Sequence, residues 1–202
     1  KQDEETQIYA SVIHKGQIYV GTWPHGTVFR HLGGDKWQNC GRLGNEEEVM
    51  GLNVYNGRLY AGTLPTAEIY RFDGDGQWKR VGRVDGTPDA PLRRALSMVV
   101  YQGRLFAGTL PSGRICAMEV GKSATYDYEL DPGWKKICAV KGRINLKLFV
   151  DGRLVASSTE FDRKEYDLSN EETLKIGFGQ HDYFNGKMKN FRIFNRALSE
   201  KE

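Results

Sequence analysis

Asn56-Gly57-Arg58-Leu59-Tyr60-Ala61-Gly62-Thr63-Leu64-Pro65-Thr66-Ala67 is the stretch on which the fold turns. Val54-Tyr55, Asn56-Gly57 and Arg58-Leu59-Tyr60 read as strand, two-residue turn, strand. An Asn-Gly pair accepts the positive φ angles of a type I′ turn, whose twist matches that of the strands it joins. Pro65 then ends the second strand, because proline cannot donate to a ladder. Glu68-Ile-Tyr-Arg-Phe72 alternates again as a third strand. Gly74-Asp75-Gly76 turns the chain, and Trp78-Lys-Arg-Val81 makes a fourth strand.

The same passage occurs twice more without gaps, as Lys15-Gly-Gln-Ile-Tyr-Val-Gly-Thr-Trp-Pro-His-Gly26 and Gln102-Gly-Arg-Leu-Phe-Ala-Gly-Thr-Leu-Pro-Ser-Gly113. The anchor glycines Gly16, Gly57 and Gly103 are spaced by 41 and 46 residues. Trp37 and Trp78 each follow their anchor by 21 residues, and Arg30 matches Arg71. Pro24, Pro65 and Pro111 read as punctuation. Four short antiparallel strands in about 40 to 46 residues make one blade of a β-propeller, with the tryptophan expected between neighbouring sheets. The third copy diverges after Gly113: Ala117 replaces the arginine, and Trp134 comes 31 residues after Gly103. Two full units and a partial one fall short of the four to eight that close a ring. A homo-oligomer, a longer parent chain or the C-terminal region is therefore expected to complete it.

From about Arg114 the pattern changes. Gly133-Trp-Lys-Lys-Ile-Cys-Ala-Val140 and Leu174-Lys-Ile-Gly-Phe178 read as strands. Asn145–Val150 and Arg153–Ser157 form a hairpin around Asp151-Gly152, and Ser199 reads as the cap of a short last helix. The run Gly133-Trp134, Leu148-Phe-Val-Asp-Gly-Arg153, Leu174-Lys-Ile-Gly177 and Phe184-Asn-Gly186 through Phe191-Arg-Ile-Phe-Asn-Arg-Ala-Leu-Ser199 resembles the C-terminal half of a laminin-G-like jelly roll, of the concanavalin A-like lectin/glucanase superfamily. The expected fold class is all-β: propeller-like four-stranded antiparallel repeats over residues 1–113, then a partial jelly-roll segment over 114–202. Leu148–Ala156 also echoes Asn53–Ala61, which leaves a four-blade alternative open.

The chain has 202 residues, 39% hydrophobic and 27% charged, with a net charge of +3. So small a surplus, spread along the chain, gives no basis for nucleic-acid binding, and no apolar run approaches the ~20 residues of a membrane-spanning helix. The chain starts at Lys1, so either a leader was removed or the chain is a piece of a longer protein. Cys40, Cys116 and Cys138 match no zinc spacing; they read as buried thiols, with a Cys116–Cys138 bridge as the alternative.

No nucleophile elbow, phosphate loop or zinc cluster is present in the sequence, so the reading leans away from an enzyme. Glu46-Glu47-Glu48, Asp73 and Asp75 read as solvated charge. Two loops are candidate ligand sites. Trp23 and His25 follow the first Gly-Thr, where an aromatic ring suits stacking on a sugar. His181, Asp182 and Tyr183 lie in Gly179–Asn185. The resemblance implies rim loops that hold glycan or calcium, with Asp182 and Asn185 as metal ligands, although no cofactor is required. The expectation is a secreted or cell-surface binding or adhesion module for a carbohydrate or protein ligand. A sialidase-like glycosidase fragment and a self-assembling structural protein are the alternatives.

Overall fold

The computed structural model describes residues 4–74, 76–164, 166–167, 169, 171 and 173–197. Asp75 and Ser199 lie outside the described residues. Within them the chain forms strands and no helix, so none is long and apolar enough to cross a membrane.

Each repeat builds its own antiparallel sheet. Strands β1 (Gln7–His14), β2 (Gln17–Trp23), β3 (Thr27–Gly33) and β4 (Lys36–Arg42) form the first, in chain order. Strands β5 (Glu48–Tyr55), β6 (Arg58–Leu64), β7 (Glu68–Gly74) and β8 (Gln77–Arg83) form the second. The third has only β9 (Arg94–Tyr101), β10 (Arg104–Leu110) and the short β11 (Ile115–Met118). A separate three-stranded sheet follows: β12 (Ile137–Lys141), β13 (Leu146–Val150) and β14 (Arg153–Ser157). The first hairpin of each repeat and the β13–β14 hairpin have left-handed φ at both central residues, as type I′ turns require: Lys15-Gly16, Asn56-Gly57, Gln102-Gly103 and Asp151-Gly152. Asn and Asp tolerate that region, whereas Lys15 and Gln102 enter it at a cost of about 1 kcal/mol.

The Gly-Thr-x-Pro step is built alike each time. The Thr22 hydroxyl donates to the Thr27 carbonyl at 2.9 Å, Thr63 to Glu68 at 3.1 Å and Thr109 to Arg114 at 3.1 Å. These buried hydroxyls tie the end of the second strand to the start of the third. The following X-Pro bonds, Trp23-Pro24, Leu64-Pro65 and Leu110-Pro111, are all cis. The residue after each proline donates its amide to a carboxylate arriving ahead of the repeat: His25 to Glu5 at 3.4 Å, Thr66 to Glu46 at 3.2 Å, Ser112 to Asp85 at 3.0 Å. Glu46 is accordingly buried; Glu48 is buried too, and only Glu47 of that acidic run is solvated as the sequence suggested.

The core lies between sheets. Tyr19, Val28 and Cys40 of the first sheet pack with Val49, Val54, Leu59, Ala61 and Tyr70 of the second. Tyr55, Tyr60 and Ile69 of the second pack with Ala95, Leu105 and Ala107 of the third. The glycines of Gly-Thr make this approach close. A Cβ on Gly21 would stand 2.4 Å from Val49, and one on Gly62 would stand 2.5 Å from the Ala95 carbonyl oxygen. The Trp78 indole donates to the Cys40 carbonyl at 2.9 Å, sealing the first two sheets as expected; Trp37, on the outer strand of the first sheet, is exposed and rests on His31.

Two compact units result. One takes the repeats to Val100, Leu105–Met118 and, from far along the chain, Ile176–Phe184. The other takes Tyr101–Arg104, Glu119–Lys175 and the residues from Asn185 on. Leu174–Phe178 is not a strand; Phe178 keeps one isolated bridge, to Tyr183. The strand expected over Gly133–Val140 is shorter, beginning at Ile137. Cys40, Cys116 and Cys138 are all free thiols, so the alternative bridge is not formed.

Candidate functional site

A type I′ turn directs successive backbone N–H groups outward, and these need acceptors. In the first repeat the segment 178–183 supplies them: Lys15 donates to the Gln180 carbonyl at 3.1 Å and Gly16 to the His181 carbonyl at 2.8 Å. The Gln180 side-chain oxygen also accepts the Gly57 amide of the second repeat at 2.9 Å. His14, buried at the end of β1, lies 3.1 Å from the Gln180 carbonyl through Nδ1, which donates to it. Burial holds the His14 pKa below its ordinary value, and the positive charge of Lys15 and His181 adds to that, against the Gln180 bond. The neutral ring is thus the form that belongs in the fold.

Over this clamp the side chains reach solvent. His181 places Nδ1 3.0 Å from the Ile13 carbonyl. Asp182 accepts the Tyr183 amide at 2.7 Å and lies against Gly16, where an added Cβ would meet its Oδ1 at 3.4 Å. Tyr183 is 74% exposed and meets Phe178 edge-on, with ring centroids 4.6 Å apart. His181, Asp182 and Tyr183 therefore form one surface beside the Lys15-Gly16 turn.

The other sequence candidates are placed differently. Trp23 is half-buried, in the position Leu64 occupies in the core of the second repeat. His25 is half-buried, with Nδ1 3.6 Å from Glu5 Oε1. The structure does not join these two to the 178–183 surface. Asn185 is exposed and begins the second unit's final segment. Among the described residues no three His, Cys, Asp or Glu side chains are grouped as a metal would need. Calcium takes six to eight oxygens, and Asp182 already spends one carboxylate oxygen on its own loop. The donor set does not fit that ion.

Sequence reasoning missed that Lys15, Gly16, His14 and Phe178 belong with this surface. It also missed an apolar cleft of about 150 Å³ lined by Ile69, Val81, Leu105, Ala107, Cys116 and Met118. The cleft lies beside β11, where the third sheet has, among the described residues, no fourth strand to match β4 and β8.

Residues 113–202 match the model of the Concanavalin A-like lectin/glucanases superfamily. The match bears out the likeness carried by the C-terminal motifs; the repeats as far as Ser112 lie outside it. No curated protein matches the chain. The fold is all-β, with a concanavalin A-like jelly-roll segment at the C-terminal end. A segment of that superfamily is consistent with a carbohydrate- or protein-binding module.

Proposed function

We propose that this protein is a non-catalytic, glycan-binding module of the cell exterior, and that its repeats are three successive blades of a β-propeller arc. The observation that carries the binding reading is the Phe178/Tyr183 pair, which presents an exposed aromatic ring on a loop held by backbone hydrogen bonds. A rigid ring offers its apolar face to the C–H face of a sugar at little entropic cost, while neighbouring polar groups engage the hydroxyls. His181, Asp182 and Lys15 are those neighbours. The superfamily match over the same segment supports this reading. The face-to-face packing of successive antiparallel sheets supports the propeller.

A glycan array followed by calorimetry tests it. The expected result is a sugar ligand whose affinity falls at least tenfold in Tyr183→Ala, with an unchanged circular dichroism spectrum. Absence of binding to any glycan, or a ligand indifferent to both Tyr183→Ala and Phe178→Ala, overturns it.

A further inference from the structure

The two interfaces inside the repeat unit are built from equivalent positions. Each sheet offers one face to the sheet before it and the other to the sheet after it. The leading face carries Val49, Val54 and Leu59 in the second sheet and Ala95 and Leu105 in the third, all buried. The same positions in the first sheet are Ile8, Ile13 and Ile18, and all three are exposed; Ile8 is 65% exposed where Val49 is fully covered. The trailing face carries Val28 in the first sheet and Ile69 in the second, both buried, whereas Ile115 of the third is 77% exposed. Val99 and Leu110 of the third sheet are exposed as well.

The glycines give an independent sign of the same vacancy. Gly21 and Gly62 have no room for a methyl group because the next sheet's first strand passes within contact. At the equivalent Gly108 the nearest atom to an added Cβ is 3.9 Å away, and it belongs to Ser97 of the same sheet. Gly108 thus keeps the small residue that stacking needs, with nothing among the described residues stacked on it. Ile8 is the counterpart of Val49, the residue that fills the space over Gly21.

We propose that a second copy of this chain docks on the first sheet: the trailing face of one molecule's third sheet covers Ile8, Ile13 and Ile18 of the next, with Ile8 over Gly108. The contact continues the interface already made twice within the chain, which is why a copy of the chain is the occupant the structure favours. The two surfaces differ, so the association is head-to-tail, and an open assembly keeps one free leading face and one free trailing face until a ring closes. Trp78 bonds to the fourth strand of the sheet before it, whereas its counterpart Trp37 would meet no such strand among the described residues of the third sheet.

Sedimentation of the full chain over a range of concentrations tests this. The expected result is mass that grows with concentration beyond a dimer or settles at a closed ring. Ile8→Lys blocks the leading face at an exposed position. Gly108→Val fills the trailing notch, where an added Cβ meets nothing closer than 3.9 Å among the described residues of the single molecule. Each variant alone is expected to be monomeric with wild-type circular dichroism, and an equimolar mixture to form a dimer and nothing larger. A wild-type monomer at all concentrations overturns the proposal. So does self-association unaffected by both variants, or a mixture that stays monomeric, the outcomes expected if another protein or further repeats cover the face.

Discussion

Asp85 is among the most deeply buried charged side chains of the repeats, and its surroundings account for its charge. It accepts the Thr87 hydroxyl at 2.6 Å, the Thr87 amide at 2.9 Å and the Ser112 amide at 3.0 Å. The Thr87 hydroxyl does most to hold its carboxyl well below the ordinary 3.8; burial opposes this, and Ser112 adds to it. Because the folded pKa is lowered, the stabilisation is fully present above pH 4 and is lost as pH falls below it, where the unfolded chain takes up the proton first. Asp85→Asn is therefore expected to unfold at lower denaturant than wild type at pH 7, with the gap narrowing as pH falls below 4. Urea titrations at pH 7 and pH 3 read the difference; an equal gap at both would show that charge is not what Asp85 contributes. Glu46 and Glu48 show why such residues were not legible in the sequence. An acidic run gives no local sign that alternate members face inward, and the amide that Glu46 accepts belongs to Thr66, twenty residues away.

At the scale of strands and turns much was legible. Asn56-Gly57 and Asp151-Gly152 specify their turns by backbone preference alone, and repetition carried the reading over to Lys15-Gly16 and Gln102-Gly103. Leu174–Phe178 failed for the opposite reason: its alternation is that of a strand, but no strand among the described residues pairs with it, and pairing is what makes a strand. The Gly-Thr-x-Pro step was read as a stop signal, whereas its glycine serves packing between sheets. Gly62 and Gly108 separate the two roles, since neither has a positive φ. Gly62→Ala drives a methyl group into the Ala95 carbonyl and is expected to cost about 1 to 3 kcal/mol. Gly108→Ala, in open space, is expected to change stability by less than about 0.5 kcal/mol. Chemical denaturation of the two variants side by side checks this, and similar losses would mean that the glycine serves the strand rather than the stacking.

Across the whole molecule, the least legible feature was that Ile176–Phe184 belongs with the first repeats. His181, Asp182 and Tyr183 stood out by their chemistry, yet nothing near them in sequence points to a hairpin 166 residues earlier. The contact depends on turn amides that any suitable acceptor would satisfy, and such demand leaves no residue pattern. Gln180→Ala removes the acceptor for Gly57 and is expected to lower the stability of the repeat unit by about 1 kcal/mol. Trp78 fluorescence during unfolding reports it, and an unchanged midpoint would mean that water replaces the amide oxygen at no cost. The same clamp sets an order of events during synthesis. The first hairpin leaves the ribosome long before the carbonyls that finish its turn, so the nascent repeats wait, with those amides hydrated, until the segment around Gln180 emerges. That hairpin is thus made well before the segment that completes it.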